Sequence, residues 1–189
     1  MSFYDTREWK IGDNAQRRWA YFVSSQGGIA VPIYGFEGNT SDTKAPMLIS
    51  RNTLLVAPDL LVLRGDVRKW NEVKAKASPT WRYAPPGPRW EHGFDWALLE
   101  EYRAVSRESG CPVFIVVHEL RSPLDASRGS PLSGAERFLA IDLEHAARIG
   151  QHRPDWPGGT KLPHERGRNG QGGLLWPRSA MTEIQMTVT

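Results

Sequence analysis

The spacing of apolar residues predicts two amphipathic helices in the chain. The first covers residues 12–26, with Asp13 or Asn14 as its N-cap and Gly27 just past its end. The second covers residues 94–108 and ends at Gly110. Their apolar stripes are Ala15, Trp19, Phe22 and Val23 in the first helix, and Leu98, Leu99, Tyr102 and Val105 in the second.

Runs of apolar and β-branched residues predict the strands. They cover residues 29–36, 54–63, 68–77 and 112–120. Pro32 makes the first strand an edge or irregular strand, because proline has no N–H to donate to a neighbour. Pro58 and Asp59 interrupt the second strand, which is otherwise suited to a protein core. The predicted order up to residue 120 is α-β-β-β-α-β, an α/β fold with a mixed central sheet flanked by helices.

The remaining segments are predicted from weaker patterns. Residues 138–143 favour a strand and residues 144–150 a helical turn. Residues 78–92 are rich in Pro and Trp, and residues 151–176 in Gly, Pro, Arg and His, so both segments predict loops. We therefore expect a core over residues 1–125 and a loop-rich C-terminal extension, packed on it, over residues 126–189.

A predicted hairpin brings polar residues together. If Gly65 and Asp66 are its two central turn residues, then pairing along the strands follows from the turn. Three pairs result: Arg64 with Val67, Leu61 with Trp70, and Asp59 with Glu72. Because side chains alternate along a strand, Lys74 shares the face of Glu72 and lies diagonal to Asp59. The register thus predicts two carboxylates and one ammonium group in a single patch.

This patch predicts metal-assisted chemistry on phosphate. Two opposed carboxylates repel each other, and a divalent cation removes that cost. Mg²⁺ takes carboxylate oxygens and keeps waters for a substrate phosphate. Lys74 would orient or deprotonate a water and stabilise negative charge on the phosphate. The alternative is that Glu72 and Lys74 make ordinary solvated contacts on an exposed strand.

The same residues resemble a known motif. Pro58-Asp59, followed after twelve residues by Glu72-Val73-Lys74, is similar to the PD-(D/E)xK motif of the restriction-endonuclease-like nucleases. The resemblance covers residues 11–120 and implies a restriction-endonuclease-like core. It implies Mg²⁺, with Mn²⁺ as a substitute, held by Asp59, Glu72 and the Val73 carbonyl, and Lys74 assisting the water.

One position departs from the family pattern. Many members carry a Glu on the first helix that completes the metal site, whereas this chain has Gln16 at the corresponding-looking position and Asp13 one turn earlier. Either residue would have to act on the metal through water, and a solvent-facing role for Gln16 is the alternative. The departure also leaves open a non-catalytic nucleic-acid-binding or assembly protein that retains the fold.

Composition excludes several classes of protein. The 189-residue chain has 24 Lys plus Arg against 21 Asp plus Glu, and its single Cys111 excludes an intramolecular disulfide framework and a cysteine-based zinc cluster. No apolar run approaches the roughly 20 residues of a membrane span, and the first residues lack a signal-peptide pattern. We therefore expect a cytoplasmic protein without a membrane partner.

The distribution of charge predicts a nucleic-acid partner. Residues 64–90 carry a local balance of +5, interleaved with Trp and Tyr, which suits phosphate contacts and base stacking. DNA is the predicted partner, with RNA left open, and cutting two strands suggests a homodimer. The alternative is that the aromatic residues hold a loop on the core. The predicted substrate contacts are Lys76, Arg82, Tyr83, Arg89, His92 and Tyr102.

Overall fold

A computed structural model describes most of the chain. It covers residues 7–33, 47–50, 53–76, 79–83, 87–120, 136–154 and 172–185, except for the side chains of residues 7–9, 47 and 53. Its helices are α1 (Arg7–Ser25), α2 (Ala97–Ser109) and α3 (Leu143–Ile149), and a 3₁₀ turn covers Arg178–Ala180. Within these ranges, no helix combines the length and the apolar character that crossing a bilayer requires.

The strands follow in chain order. They are β1 (Ile29–Pro32), β2 (Met47–Ser50), β3 (Thr53–Val56), β4 (Leu60–Arg64), β5 (Val67–Lys76), β6 (Thr80–Arg82), β7 (Arg89–Asp95), β8 (Val113–Glu119), β9 (Arg137–Asp142), β10 (Gln151–Arg153), β11 (Gly173–Pro177) and β12 (Thr182–Ile184).

Six of these strands form a central mixed sheet. Their order is β1-β4-β5-β8-β9-β12, in which β5 and β8 are parallel and the other neighbours are antiparallel. A second sheet has the order β10-β11-β7-β6, and β2 pairs with β3 alone. The α/β class and the edge position predicted for the strand that contains Pro32 are confirmed.

The central sheet is covered differently on its two faces. On one face, Ala15, Trp19 and Val23 of α1 pack against Val73 and Val116. On the other face, α2, α3 and the second sheet enclose the larger core, which is built from apolar residues such as Trp70, Phe94, Tyr102, Ile115 and Trp176. Side chains that alternate with Val73 along β5 therefore point to the face of the second sheet.

Helix α1 begins earlier than predicted. It starts at Arg7, so Asp13 lies inside the helix and is not an N-cap. Asp13 accepts a hydrogen bond from Arg17 Nε at 2.8 Å, an i,i+4 pair that stabilises a helix interior. The predicted end is confirmed, since Gly27 adopts a φ of 75° directly after the last turn.

The predicted strand over residues 54–63 is in fact two strands. β3 pairs with β2, whereas β4 pairs with β1 and β5 in the central sheet. The break falls at Pro58 and Asp59. Pro58 has no N–H to continue a ladder, and Asp59 uses its carboxylate as the acceptor for a backbone N–H of β5.

The predicted loop over residues 78–92 contains the hairpin of β6 and β7. Phe94, predicted as the start of a helix, belongs to β7 and is buried, and α2 begins only at Ala97. Trp90, His92 and Phe94 alternate with Glu91 and Gly93, which is the period of a strand. The extra strands interrupt the simple α-β-β-β-α-β order that the sequence predicts.

The C-terminal part of the chain joins both sheets. The strand and helical turn predicted over residues 138–150 are confirmed as β9 and α3. β10 and β11 lie in the segment for which no regular structure was predicted. The boundary predicted at residue 125 lies outside the described residues. On its C-terminal side, β9 pairs with β8, and β12 pairs with β9.

Candidate active site

The hairpin of β4 and β5 has the predicted register. Arg64 pairs with Val67 and Leu61 with Trp70, and Gly65 in the turn has a φ of 55° that favours glycine. The ladder ends at Leu60, which pairs with Asn71. Asp59 comes one residue earlier and lies level with Glu72, and its Oδ2 accepts a hydrogen bond of 2.7 Å from the N–H of Val73.

Three of the predicted site residues converge on this strand pair. Asp59 is 7% exposed and Glu72 is 4% exposed. The Nζ of Lys74 lies 2.5 Å from Oε1 of Glu72. Glu72 and Lys74 alternate with Val73, which packs towards α1, so both side chains project from the opposite face of the sheet. The result is a buried patch of two carboxylates with one ammonium group at its edge.

Burial and charge alter the protonation of this patch. Burial, followed by the negative charge of Glu72, raises the pKa of Asp59 well above its ordinary value. Lys74 and the Val73 N–H act in the opposite direction but do not cancel this effect. Burial by itself lowers the pKa of Lys74, yet the charges of Glu72, Asp59 and Asp95 outweigh burial and raise it. Lys74 is thus held as a cation, and Asp59 resists ionisation beside Glu72.

The donor set fits a divalent cation with a small protein contribution. Mg²⁺ is commonly held by one or two carboxylates, with waters and substrate oxygens completing its shell. Asp59 and Glu72 supply those carboxylates, and a cation would lower the cost of ionising both. Across the described ranges, no group of three or more His, Cys, Asp or Glu converges on a point. Other ligands would therefore have to be water, substrate or a backbone carbonyl such as that of Val73.

The two candidate ligands on α1 lie on the other side of the sheet. Asp13 is bonded to Arg17 on the helix itself. Its neighbours Ala15 and Trp19 pack against the sheet face that carries Val73, not the face that carries Glu72. Among the described contacts, none joins Asp13 or Gln16 to the two carboxylates.

Asp95 is a further charged residue near Lys74. The structure places it at the end of β7, where it pairs with Gly173. Its negative charge contributes to the raised pKa of Lys74. Burial and the charge of Lys74 lower the pKa of Lys76, and the charge of Asp95 partly opposes that lowering. Asp95 therefore lies within electrostatic range of both lysines. No local pattern reveals this proximity, because it depends on how the second sheet packs on the first.

Two predicted substrate contacts are buried in the structure. His92 is 3% exposed, and its Nε2 lies 2.6 Å from Oε1 of Glu119. Arg178 donates two hydrogen bonds of 2.7 Å to the same carboxylate. Tyr102 is 2% exposed and stacks on Phe94. Neither His92 nor Tyr102 presents its side chain to solvent in this arrangement.

Two further predicted contacts bind a buried acid. Arg89 Nε lies 2.7 Å from Oε1 of the fully buried Glu91, and Arg82 Nη1 lies 3.3 Å from the same oxygen. Glu91 comes directly after the basic stretch of residues 64–90 and partly neutralises it. Tyr83, by contrast, is 86% exposed and remains available for contact. A buried Glu in an alternating strand was the feature that sequence reasoning missed.

The chain resembles solved structures, but it matches no family model and no curated protein. Among solved structures, it is similar to Hjc, a Holliday junction resolvase from the archaeal hyperthermophile Archaeoglobus fulgidus. The match has 13% sequence identity and a TM-score of 0.46, and it covers 92% of this chain and 91% of that chain.

Proposed function

We propose that the protein is a divalent-metal-dependent nuclease that hydrolyses phosphodiester bonds in DNA. The observation that carries the proposal is the convergence of two buried carboxylates, Asp59 and Glu72, with the ammonium group of Lys74 at 2.5 Å from Glu72. Buried like charges are costly and are rarely kept without a counter-charge. A divalent cation would offset the cost of the two carboxylates, and the ammonium group of Lys74 would contact the phosphate.

The proposed roles follow from the charge of each group. Asp59 and Glu72 would hold Mg²⁺ or Mn²⁺, with the Val73 carbonyl as a further ligand, whereas Asp13 and Gln16 on the other side of the sheet are given no role. When bound, the ion would supply Lewis-acid activation of a water and of the phosphate. Because Glu72 and Asp59 raise the pKa of Lys74, we assign its ammonium group to stabilising negative charge on the phosphate rather than to removing a proton.

Substrate contacts are proposed on the same face. Lys76 follows Lys74 on β5 and is half-buried, so it would bind a phosphate beside the reacting one. Tyr83 is exposed and would stack on a base. Arg82 and Arg89 would reach a phosphate only by sharing their contact with Glu91. For His92 and Tyr102, burial favours a supporting role in the packing around the site.

The experiment is a cleavage assay with single-stranded, duplex and branched DNA, and with RNA, in EDTA, Mg²⁺ or Mn²⁺. We expect cleavage of DNA that requires the cation and is lost in Asp59→Asn and Lys74→Met. Asp66→Asn, at the exposed tip of the same hairpin, is the matched control and should cleave normally. Cleavage that survives both site variants would contradict the assignment. Light scattering on the same preparation tests the proposed homodimer.

A second candidate is a nucleic-acid-binding or assembly protein without catalysis. It is favoured by the described residues, which hold no cluster of three or more metal-ligating side chains. Calorimetric titration with Mn²⁺ separates the two candidates. Binding that disappears in Asp59→Asn supports the nuclease, whereas DNA binding without Mn²⁺ binding or cleavage supports the second candidate.

A further inference from the structure

A cavity of about 440 Å³ lies on the opposite side of the central sheet from the candidate active site. Helix α1 packs mainly on β1 and β5, which leaves part of β8, β9 and β12 beside it uncovered by the helix. The apolar lining of the cavity includes Trp19, Phe114, Val116, Ala140 and Ile184. The size falls in the range of roughly 300–1,000 Å³ that small-molecule sites occupy.

The amide in the cavity wall is already satisfied. Asn71 is fully buried, and its Oδ1 accepts a hydrogen bond of 2.9 Å from Trp19 Nε1. Its Nδ2 donates a hydrogen bond of 2.7 Å to the carbonyl of Trp70. Asn71 therefore holds Trp19 in position and stiffens the wall, but it offers a ligand little polar attraction.

Among the described residues that line the cavity, Lys69 is a cation without a carboxylate partner. Its Nζ lies 5.1 Å from the centre of the Phe114 ring. In the part of the chain that the structure describes, no carboxylate lies within ion-pair distance of this ammonium group. Burial, followed by the charge of Arg64, lowers the pKa of Lys69, as expected for a half-buried cation without an anionic partner.

Asp142 also lines the cavity but does not neutralise Lys69. Its Oδ1 caps α3 by accepting a hydrogen bond of 2.9 Å from the N–H of His145. It stands on β9, which is separated from β5 by β8, so the strands that carry the two residues are roughly 10 Å apart. As far as the described residues show, the cavity thus has an apolar floor, a cation without an ion pair at one wall and an engaged carboxylate at the other.

We propose that this cavity binds a small apolar anion, such as an aromatic carboxylate or sulfonate. The anionic group would lie against Lys69, and the apolar body would pack on Phe114, Val116 and Ile184. The charge of an ammonium group over an aromatic ring is only partly compensated, so an anion adds the missing charge while its apolar body covers the ring. The site is independent of the proposed nuclease activity, because Lys69 and Asn71 face away from Glu72 and Lys74.

The test is a fluorescence titration of the full chain with 1-anilinonaphthalene-8-sulfonate, an apolar sulfonate, and with its uncharged analogue N-phenyl-1-naphthylamine. Lys69→Gln should weaken binding of the sulfonate about tenfold or more and leave the uncharged probe unchanged. Lys69→Arg should retain sulfonate binding to within about threefold. Ala140→Leu, which narrows the cavity, should weaken both probes. Lys10→Gln, at an exposed position of α1, is the matched control.

Two results would overturn the proposal. One is the absence of saturable sulfonate binding to the folded wild type. The other is equal sulfonate affinity in wild type and Lys69→Gln, which would remove the role of the charge even if Ala140→Leu weakened the probe. Thermal unfolding of each variant verifies that the titration reports on folded protein. DNA cleavage by Lys69→Gln should match the wild type, so failure here is distinguishable from failure of the nuclease proposal.

Discussion

Replacing Asp59 by asparagine tests whether the two neighbouring carboxylates of the candidate active site destabilise the folded protein. Asparagine has the same shape and can still accept the hydrogen bond from the Val73 N–H, which is 2.7 Å long in the wild type. It removes the negative charge beside Glu72 and can donate to that carboxylate. The substitution therefore keeps the geometry and removes the like-charge contact.

The expected direction follows from the pKa of Asp59, which burial and Glu72 raise well above the ordinary value. Because Asp59→Asn removes one buried like-charge contact, it should increase the free energy of unfolding at pH 7 by about 1 kcal/mol, the usual scale of a single substitution. For a chain of this size, that is an increase in Tm of about 2–4 °C. Cleavage activity should fall in the same variant, as the active-site carboxylate is lost.

The pH dependence carries a definite sign. Because the folded-state pKa is raised, the folded protein binds more protons than the unfolded one between the two pKa values. The wild type therefore loses stability as the pH rises from about 4, the ordinary value for Asp, through the raised folded-state pKa. The difference between wild type and Asp59→Asn should vanish near pH 4 and grow as the pH rises through the raised folded-state pKa.

Urea unfolding and thermal scans in EDTA measure this effect. Mg²⁺ should raise the Tm of the wild type and leave that of Asp59→Asn nearly unchanged, because a ligand that binds only the folded state stabilises it. Asp66→Asn, in the exposed turn, should behave as the wild type. An Asp59→Asn protein that is less stable than the wild type at pH 7 in EDTA would refute the reasoning.

Three further predictions concern the site and its supports. Lys74→Met should lower the rate of DNA cleavage in single-turnover kinetics by about 10²–10³-fold, and change the Kd for DNA, measured by anisotropy, far less. A variant that mainly loses affinity for DNA would count against a role of Lys74 in stabilising the reacting phosphate. Arg178→Gln should lower the free energy of unfolding in urea by about 3–5 kcal/mol, since Glu119 would stay buried without its guanidinium partner. Arg103→Gln, which removes the ion pair with the exposed Glu144, should lower it by at most about 1 kcal/mol. Gly93→Ala should destabilise by about 1–3 kcal/mol, since an added Cβ would lie 2.6 Å from the Leu174 carbonyl. Gly12→Ala in α1 meets no atom within 4 Å and should stabilise slightly, and equal effects of the two Gly variants would contradict the packing argument.

Local patterns were informative where neighbouring residues determine the structure. The turn at Gly65 and Asp66 sets the register of β4 against β5, and the two-residue period then places Glu72 and Lys74 on one face. The stripe of Ala15, Trp19 and Val23 likewise predicted the buried side of α1. In both cases the relevant residues are close in sequence, so their relation depends on backbone geometry alone.

Predictions about accessibility were less successful. His92, Arg82 and Arg89 were assigned to the substrate from their residue types, yet each binds a buried Glu in the structure. Glu119, the partner of His92, is 27 residues away along the chain, and Arg178 is 59 residues beyond Glu119. Distances of that size depend on how the two sheets pack, which no local pattern encodes.

The sequence by itself determined the hairpin, the carboxylate-and-lysine pattern and the amphipathic side of α1, because turn chemistry and side-chain periodicity are local properties. Only the tertiary structure decided which charges are buried, which are paired and which are left free. It divided the predicted second strand between two sheets and placed Asp95 near Lys74 and Lys76. It also placed Lys69 in a cavity where none of the described carboxylates pairs with it. The physical reason is that burial and ion pairing arise from contacts between distant segments, and these form only when the sheets come together.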